Sequence, residues 1–343
     1  MNPDVVFVQP GFGERGGVTT DVLNLLTGVE RTGLHGAAAG DLRSLRALLG
    51  QRQTVVHVFG CLPSATIFGA IALARAKGNP LVWTPIFNPI RRTTWRGYGL
   101  ARAMAIFDRV APHAARFADA VIAATTAEAE YFRAIGGRRV ELIPPGVDPP
   151  EAPAARRDLA TFRRELGLGD GPVVLTVARA NSRKALPFGH AAFAELRARV
   201  PDAQLLLVGP DDDYARAHDP GVVCPGWLDQ RQMALAYQAG DVLFVPSLYE
   251  GLPRAVIEAW RWSRPVIATD RVALAPLIDG TAGVVVPYGD VQTTAAKLEA
   301  LLADDVKAAT YGSAGHELVR SQFLMPDLVD ATLRLYGEVA AGG

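Results

Sequence analysis

Cysteine is nearly absent: Cys61 and Cys224, one in each half of 343 residues, show no metal-ligand spacing, so neither a disulfide framework nor a zinc site is expected. Long apolar runs are missing too. The longest, Ala65 to Ala74, falls far short of a membrane span, and the strand-like Val5 to Val8 follows the first residues with no secretion signal ahead of it. These absences predict a reducing, cytoplasmic setting and leave peripheral contact with the inner face of a membrane open. Net charge is also lacking, with 35 Lys+Arg against 35 Asp+Glu. That zero conceals a split, because residues 1–150 carry 16 basic against 11 acidic side chains and residues 151–343 carry 19 against 24. A half at +5 could meet phosphate or an anionic surface, although scattered arginines on solvated helix faces produce the same count. Nucleic acid is not an expected partner, and nothing sets an oligomeric state.

What is present is ordinary globular material, 49% hydrophobic and 20% charged, long enough for two cores. Short β-branched runs alternate with amphipathic segments, and Val5 to Gln9, Thr54 to Phe59, Leu81 to Thr84, Ala120 to Ala123 and Val140 to Ile143 read as strands. Proline, alanine and charge break the pattern at Pro149 to Asp158, where a linker is expected. Strands resume at Val173 to Ala178, Gln204 to Val208, Val242 to Pro246, Pro265 to Ala268 and Gly283 to Val286, with a helix over Gln230 to Ala239. The tail from Val306 to Val339 is helical in pattern, broken at Pro326. Runs such as VVLTVA and QLLLV are continuously apolar, as strands covered on both faces are. Two α/β domains with parallel sheets follow: 1–148, then 159–322 after a linker at 149–158, with a C-terminal helix at 323–343 that could pack back on the first domain. Leu34 to Leu49 looks too short for a full strand and helix, which predicts a trimmed first domain. Ligands of such sheets bind beyond the carboxyl ends of strands.

The chemistry-bearing residues cluster there. After Val242 to Val245 comes PSLYEGLPRAVIEA, Pro246 to Ala259, with Pro253 suited to the first position of a helix running through Trp260. Glu250 then stands before a helix N-terminus, whose amides and dipole favour phosphate, and Glu258 stands within the helix, able to meet ribose hydroxyls. Pro253 has no N–H, so Gly251, Leu252 and Arg254 supply any backbone donors. Arg254 could face an anionic group or be an exposed first-turn side chain. After Val173 to Ala178 come Arg179 and Lys184, an arginine fork and a lysine point charge in a loop after a strand.

Two glutamates separated by seven residues after Pro246-Ser247 resemble the signature of family-four retaining glycosyltransferases. LTVARANSRKA (Leu175 to Ala185), LIPPGVD (Leu142 to Asp148), LLVGP (Leu206 to Pro210) and the run from Pro225 into the glutamates extend the similarity over most of the chain. The resemblance implies the GT-B fold, two Rossmann-like domains with parallel sheets facing across a cleft. It implies transfer of a hexose from a nucleoside-diphosphate sugar with retained configuration, to a sugar, lipid-linked or small-molecule acceptor, with no cofactor and no metal. Arg179, Lys184 and Glu250 would be the catalytic group, Arg179 and Lys184 at the diphosphate and Glu250 at the donor sugar. Glu258 would bind the ribose. Gly251, Leu252, Pro253, Arg254, Gly209, Trp227, Leu228 and the glycine pair Gly16 and Gly17 would complete the donor site. Gly11, Gly13, Gly16 and Gly17 miss the spacing of the dinucleotide fingerprint.

This sequence departs from the family at two places. Ala185 stands where glycine is usual. WTPIFNPI, Trp83 to Ile90, lacks the histidine that faces the reacting sugar, which leaves Phe87 and Asn88, or His57 one strand back, as acceptor-side candidates. Asp211, Asp212 and Asp213 suit a solvated turn rather than a metal site. Other readings are a nucleotide-sugar 2-epimerase, against which the Pro-Ser preamble and glutamate pair argue, and a non-catalytic subunit retaining the donor pocket.

Overall fold

The computed structural model describes residues 3–10, 12, 17–49, 54–60, 64–86, 101–149, 151–209 and 220–342. The elements run β1 (Val5–Val8), α1 (Gly17–Arg31), β2 (Gly36–Ala39), α2 (Leu42–Leu48), β3 (Val55–Phe59), α3 (Ala65–Lys77), β4 (Leu81–Thr84), α4 (Ala101–Phe117), β5 (Ala120–Ala123), α5 (Thr126–Ala134) and β6 (Val140–Leu142). There follow α6 (Arg156–Glu165), β7 (Val173–Val177), α7 (Leu186–Arg199), β8 (Gln204–Val208), β9 (Val222–Gly226), α8 (Gln230–Ala239), β10 (Val242–Val245), α9 (Arg254–Arg261) and β11 (Val266–Thr269). The chain closes with α10 (Ala275–Ile278), β12 (Gly283–Val286), α11 (Val291–Leu302), α12 (Asp305–Gln322) and α13 (Met325–Ala341). It divides into two compact units, one of Met1–Gly146 with Met325–Gly343 and one of Val147–Leu324.

Among the described residues each unit has one six-stranded parallel sheet, ordered β2-β1-β3-β4-β5-β6 in the first and β12-β11-β10-β7-β8-β9 in the second. Counted from its own first strand, the second sheet has the 3-2-1-4-5-6 order of dinucleotide-binding folds, and the first begins 2-1-3-4-5. Alternate side chains of every strand serve opposite faces, which is why the strands read as unbroken apolar runs. In β10, Leu243 and Val245 join the cluster of Trp260 and Tyr237, while Val242 and Phe244 join that of Phe193 and Leu196.

The stretch expected as a linker, 149–158, falls inside the second unit, Val147–Leu324. Residues expected to connect the domains belong to the unit itself: Ala154 N donates to the Gln238 carboxamide, Arg261 donates to the Pro149 carbonyl, and α6 begins at Arg156. Proline and alanine erased the sequence pattern, but the anchoring groups lie about 80 to 110 residues away in sequence. The stretch from Leu34 to Leu49 holds both a strand and a helix. β2 and α2 fit between Leu34 and Leu49 because β2 is four small residues and α2 is stopped short, its start fixed by a capping box between Asp41 and Ser44.

His57 was a candidate to face an acceptor, and the structure places it elsewhere. It lies in the centre of β3, 1% exposed, with Nδ1 2.6 Å from the Tyr336 hydroxyl and Nε2 2.7 Å from Thr84 Oγ1. Phe7, Phe59 and Tyr336 surround the ring. Both nitrogens are occupied and burial pushes the imidazole down to about 3, so this histidine is a neutral internal strut joining β3 to α13. Phe87 and Asn88, with Gly16 and Asp211 to Asp213, lie outside the described residues.

The strut predicts a pH dependence. The unfolded chain protonates His57 near 6.5 whereas the folded chain keeps it neutral to about 3, so protons favour unfolding across that interval. Stability should fall as pH drops below 6.5, by up to about 1.4 kcal/mol per pH unit from this residue. Urea midpoints from pH 7 to 4 should decline less steeply for His57→Gln than for the parent, and parallel slopes would refute the assignment.

Candidate active site at the switch point of the second sheet

β7 and β10 are neighbours, yet the chain leaves β7 toward β8 on one side and leaves β10 toward β11 on the other. At such a switch point the loops after the two strands diverge and open a crevice at their carboxyl ends. Those loops carry Arg179 to Lys184 and Pro246 to Pro253.

In the first loop, Arg179 is exposed and leads into a one-turn 3-10 helix, Ser182–Lys184. Asn181 caps it, its side-chain oxygen accepting from the amides of Arg183 at 3.1 Å and Lys184 at 3.2 Å. Ala185 follows with φ +48°, the left-handed conformation for which glycine is the cheaper residue. The turn doubtful from sequence therefore forms with alanine, at the cost of backbone strain.

Arg183 O accepts from Leu248 N at 2.8 Å, tying this turn to the second loop. Ser247 is buried and its carbonyl accepts from Thr269 Oγ1 at 2.5 Å. Glu250 is held through its own backbone, its carbonyl accepting from Ala273 N at 3.0 Å. Lys184 Nζ and Glu250 Oε1 stand 2.5 Å apart, both about one-fifth exposed. The two loops thus bring a predicted phosphate cation against a predicted sugar-facing carboxylate.

Helix α9 begins at Arg254, one residue later than expected, with Pro253 as its N-cap and Gly251 and Leu252 in the loop before it. Arg254 is not the exposed first-turn side chain that sequence allowed: its Nη2 lies 3.2 Å from Glu258 Oε1 one turn on. An arginine in a helix's first turn opposes the macrodipole, and pairing with Glu258 offsets that cost. Burial pushes the Glu258 carboxyl up, and the charges of Arg254 and Arg261 pull it back down. Trp260 is fully buried and anchors α9 against α12, where Gly315 leaves room: a Cβ there would sit 2.2 Å from Trp260 Cδ1.

Gly209 ends β8 with φ +110°, and a Cβ on it would lie 2.6 Å from the Ala178 carbonyl, the residue before Arg179. Trp227 is 45% exposed and Leu228 packs partly on the core, after β9. Gly17 opens α1 in the other unit. Sequence reasoning missed Asn181, Thr269, Tyr237 and Arg261. Asn181 carried a legible signal as a turn cap and Arg261 as an i+3 neighbour of Glu258, whereas Thr269 and Tyr237 reach the site only through the fold.

Two parallel sheets of this order, with a switch-point crevice in the second, define a doubly wound α/β architecture. A family model for glycosyl transferases group 1 matches residues 171–304 and one for a glycosyl transferase 4-like domain matches residues 4–146, and the chain belongs to this glycosyltransferase family. It is 28% identical over 298 residues, covering 79% of the chain and 73% of the relative, to the GDP-mannose-dependent alpha-(1-6)-phosphatidylinositol monomannoside mannosyltransferase of Mycolicibacterium smegmatis. Partial matches cover 48% of this chain and 50% of the lipopolysaccharide core biosynthesis glycosyltransferase LpsE of Rhizobium meliloti, and 74% of this chain and 51% of the sulfoquinovosyl transferase SQD2 of Arabidopsis thaliana. Sucrose-phosphate synthase from Thermosynechococcus elongatus superposes with a TM-score of 0.80 at 21% identity over 100% of both chains. The Anabaena protein HepE in complex with UDP-glucose superposes at 0.75 and 20% identity, over 96% of this chain and 99% of that one.

Two substitutions test the local geometry. Gly209→Ala combines a positive φ with a carbonyl clash and should cost roughly 2–4 kcal/mol, at least twice the cost of Gly280→Ala, which has φ +70° but open space. Ala185→Gly should stabilise by about 0.5–1 kcal/mol by releasing the left-handed strain. Denaturant midpoints read both, and a destabilised Ala185→Gly would show that the turn is not strained.

Proposed function

We propose that the protein transfers a hexose from a nucleoside-diphosphate sugar to a sugar, lipid-linked or small-molecule acceptor with retention of anomeric configuration and without a metal ion. The observation that carries this is the convergence of Arg179, Lys184, Glu250 and the α9 N-terminus at the β7/β10 switch point. Cations and helix amides there suit a diphosphate, with Glu250 beside them for the sugar and Glu258 one to two turns deeper for ribose hydroxyls. In support, one relative is by name GDP-mannose-dependent and one structural neighbour binds UDP-glucose.

The bond from the anomeric carbon to the β-phosphate oxygen breaks with its electron pair passing to phosphate. Arg179, Lys184 and the first-turn amides of α9 stabilise that growing charge. The acceptor hydroxyl oxygen bonds the anomeric carbon on the face the phosphate leaves, and the departing phosphate oxygen takes its proton. Glu250 orients the sugar; it is not a glycosidase-type nucleophile, since no second carboxylate is assigned the acid's part. Peripheral membrane contact accompanies this reading if the acceptor is lipid-linked. Among the described residues no helix is long and apolar enough to cross a membrane.

In a thermal-shift panel of nucleoside diphosphates and their sugars, one base should stabilise the protein selectively. Glu258→Gln should weaken that ligand by about tenfold or more through the lost charge-assisted hydrogen bonds. Arg179→Ala and Lys184→Ala should each lower kcat by roughly 10²–10³. Wild-type donor turnover in both would defeat the proposed leaving-group role.

A further inference from the structure

Arg261 is 8% exposed and sits at the last position of α9, one turn beyond Glu258. Burying a guanidinium is expensive unless its donors are matched. Here Nε and Nη2 donate to the Pro149 carbonyl at 3.3 and 3.0 Å, and Nη2 also meets Glu151 Oε1 at 2.8 Å. The Arg261 carbonyl lies 3.0 Å from His316 Nδ1 on α12, which fixes the helix end as well. With these anchors set, Nη1 remains directed at Glu258 Oε2, 3.9 Å away, while Arg254 holds Oε1 at 3.2 Å. Each oxygen of the carboxylate therefore has its own arginine, at i−4 and i+3 on one helical face. The separation of 3.9 Å is too long for a hydrogen bond and short enough for strong coulombic attraction.

We infer that Arg261 is a positioning residue of the donor site, an arginine pinned by Pro149 and Glu151 that holds Glu258 ionised and oriented for the ribose. The inference rests on the reading of Glu258 as the ribose ligand. The charged and titratable groups facing Glu258 are Arg254 and Arg261 on its own helix, Asp148 on the segment that opens the unit, and Tyr237 on α8. Asp148 disfavours the carboxylate and both arginines favour it. Burial also disfavours it, so removing one arginine lets desolvation prevail at a higher pH. Glu151 draws off part of the Arg261 charge from the side away from Glu258. Its side chain is 69% exposed and can be changed without opening the core.

Removing Arg261 and removing its outer partner Glu151 therefore predict shifts of opposite sign. Donor KM is measured from pH 5 to 8. Arg261→Gln keeps an amide donor for the Pro149 carbonyl but removes the charge. Its acid limb, where KM rises on acidification, should move up by about one pH unit, with kcat at pH 8 changed less than about threefold. Arg261→Lys should restore the parent profile in the main part. Glu151→Gln should move the limb down. An Arg261→Gln enzyme with the parent's pH profile, or one whose loss lies in kcat equally at every pH, overturns the inference. So does an upward shift in Glu151→Gln, which remains measurable should Arg261→Gln fail to fold. If Glu258→Gln itself leaves donor KM unchanged, the ribose reading has failed; if Glu258→Gln weakens the donor and Arg261→Gln does not shift the limb, only the part given to Arg261 has.

Discussion

Everything at the candidate site depends on β7 and β10 lying side by side while the chain departs from them in opposite directions. Parallel pairing brings the carboxyl ends of both strands to the same edge of the sheet, and the diverging connections keep that edge from being covered. Two loops far apart in sequence can then share one set of contacts. The Arg183 to Leu248 backbone bond and the Lys184 to Glu250 pair are those contacts. Close approach in turn needs small residues where the backbone is crowded, as with Gly209 against Ala178 at the end of β8.

Charge at the site is balanced locally. Lys184 is matched by Glu250, and Glu258 by Arg254 and Arg261. Pairing of this kind offsets part of the cost of desolvating each charge. The family comparisons agree with the class of chemistry. The division of labour among these residues is a proposal from their geometry.

The strands built from valine, leucine and isoleucine were legible because burial on both faces leaves no polar alternation to misread. β2 was not, since Gly-Ala-Ala-Ala carries no β-propensity and is held only by pairing with β1. β9 was hidden in the same way by Cys224, Pro225 and Gly226, in a strand at the sheet edge. At the site, the glutamate pair and the Arg179 to Lys184 loop stood out through their resemblance to the family's motifs, because two glutamates at this spacing read by themselves as solvated surface charge. His57 misled because sequence shows it in a hydrophobic strand but not that Tyr336, 279 residues away, occupies its ring nitrogen. Arg261 was overlooked for the opposite reason: its helical neighbour was visible, but its anchor at Pro149 lies 112 residues back.

The C-terminal helix α13 belongs to the first unit, where Tyr336 closes on His57, although the second unit lies between them in the chain. During synthesis the second unit is contiguous and can complete its sheet as soon as Leu324 has emerged. The first unit, translated earlier, has its β1/β3 face covered by Val22, Leu25 and Val29 of α1 but lacks the α13 side chains of the same cluster until that helix follows. The order of translation and the order of completion are thus reversed. A nascent chain stalled before Met325 would hold a second unit with its sheet complete and a first unit whose Phe7, Val29 and Phe59 still lack the α13 side chains that share their cluster.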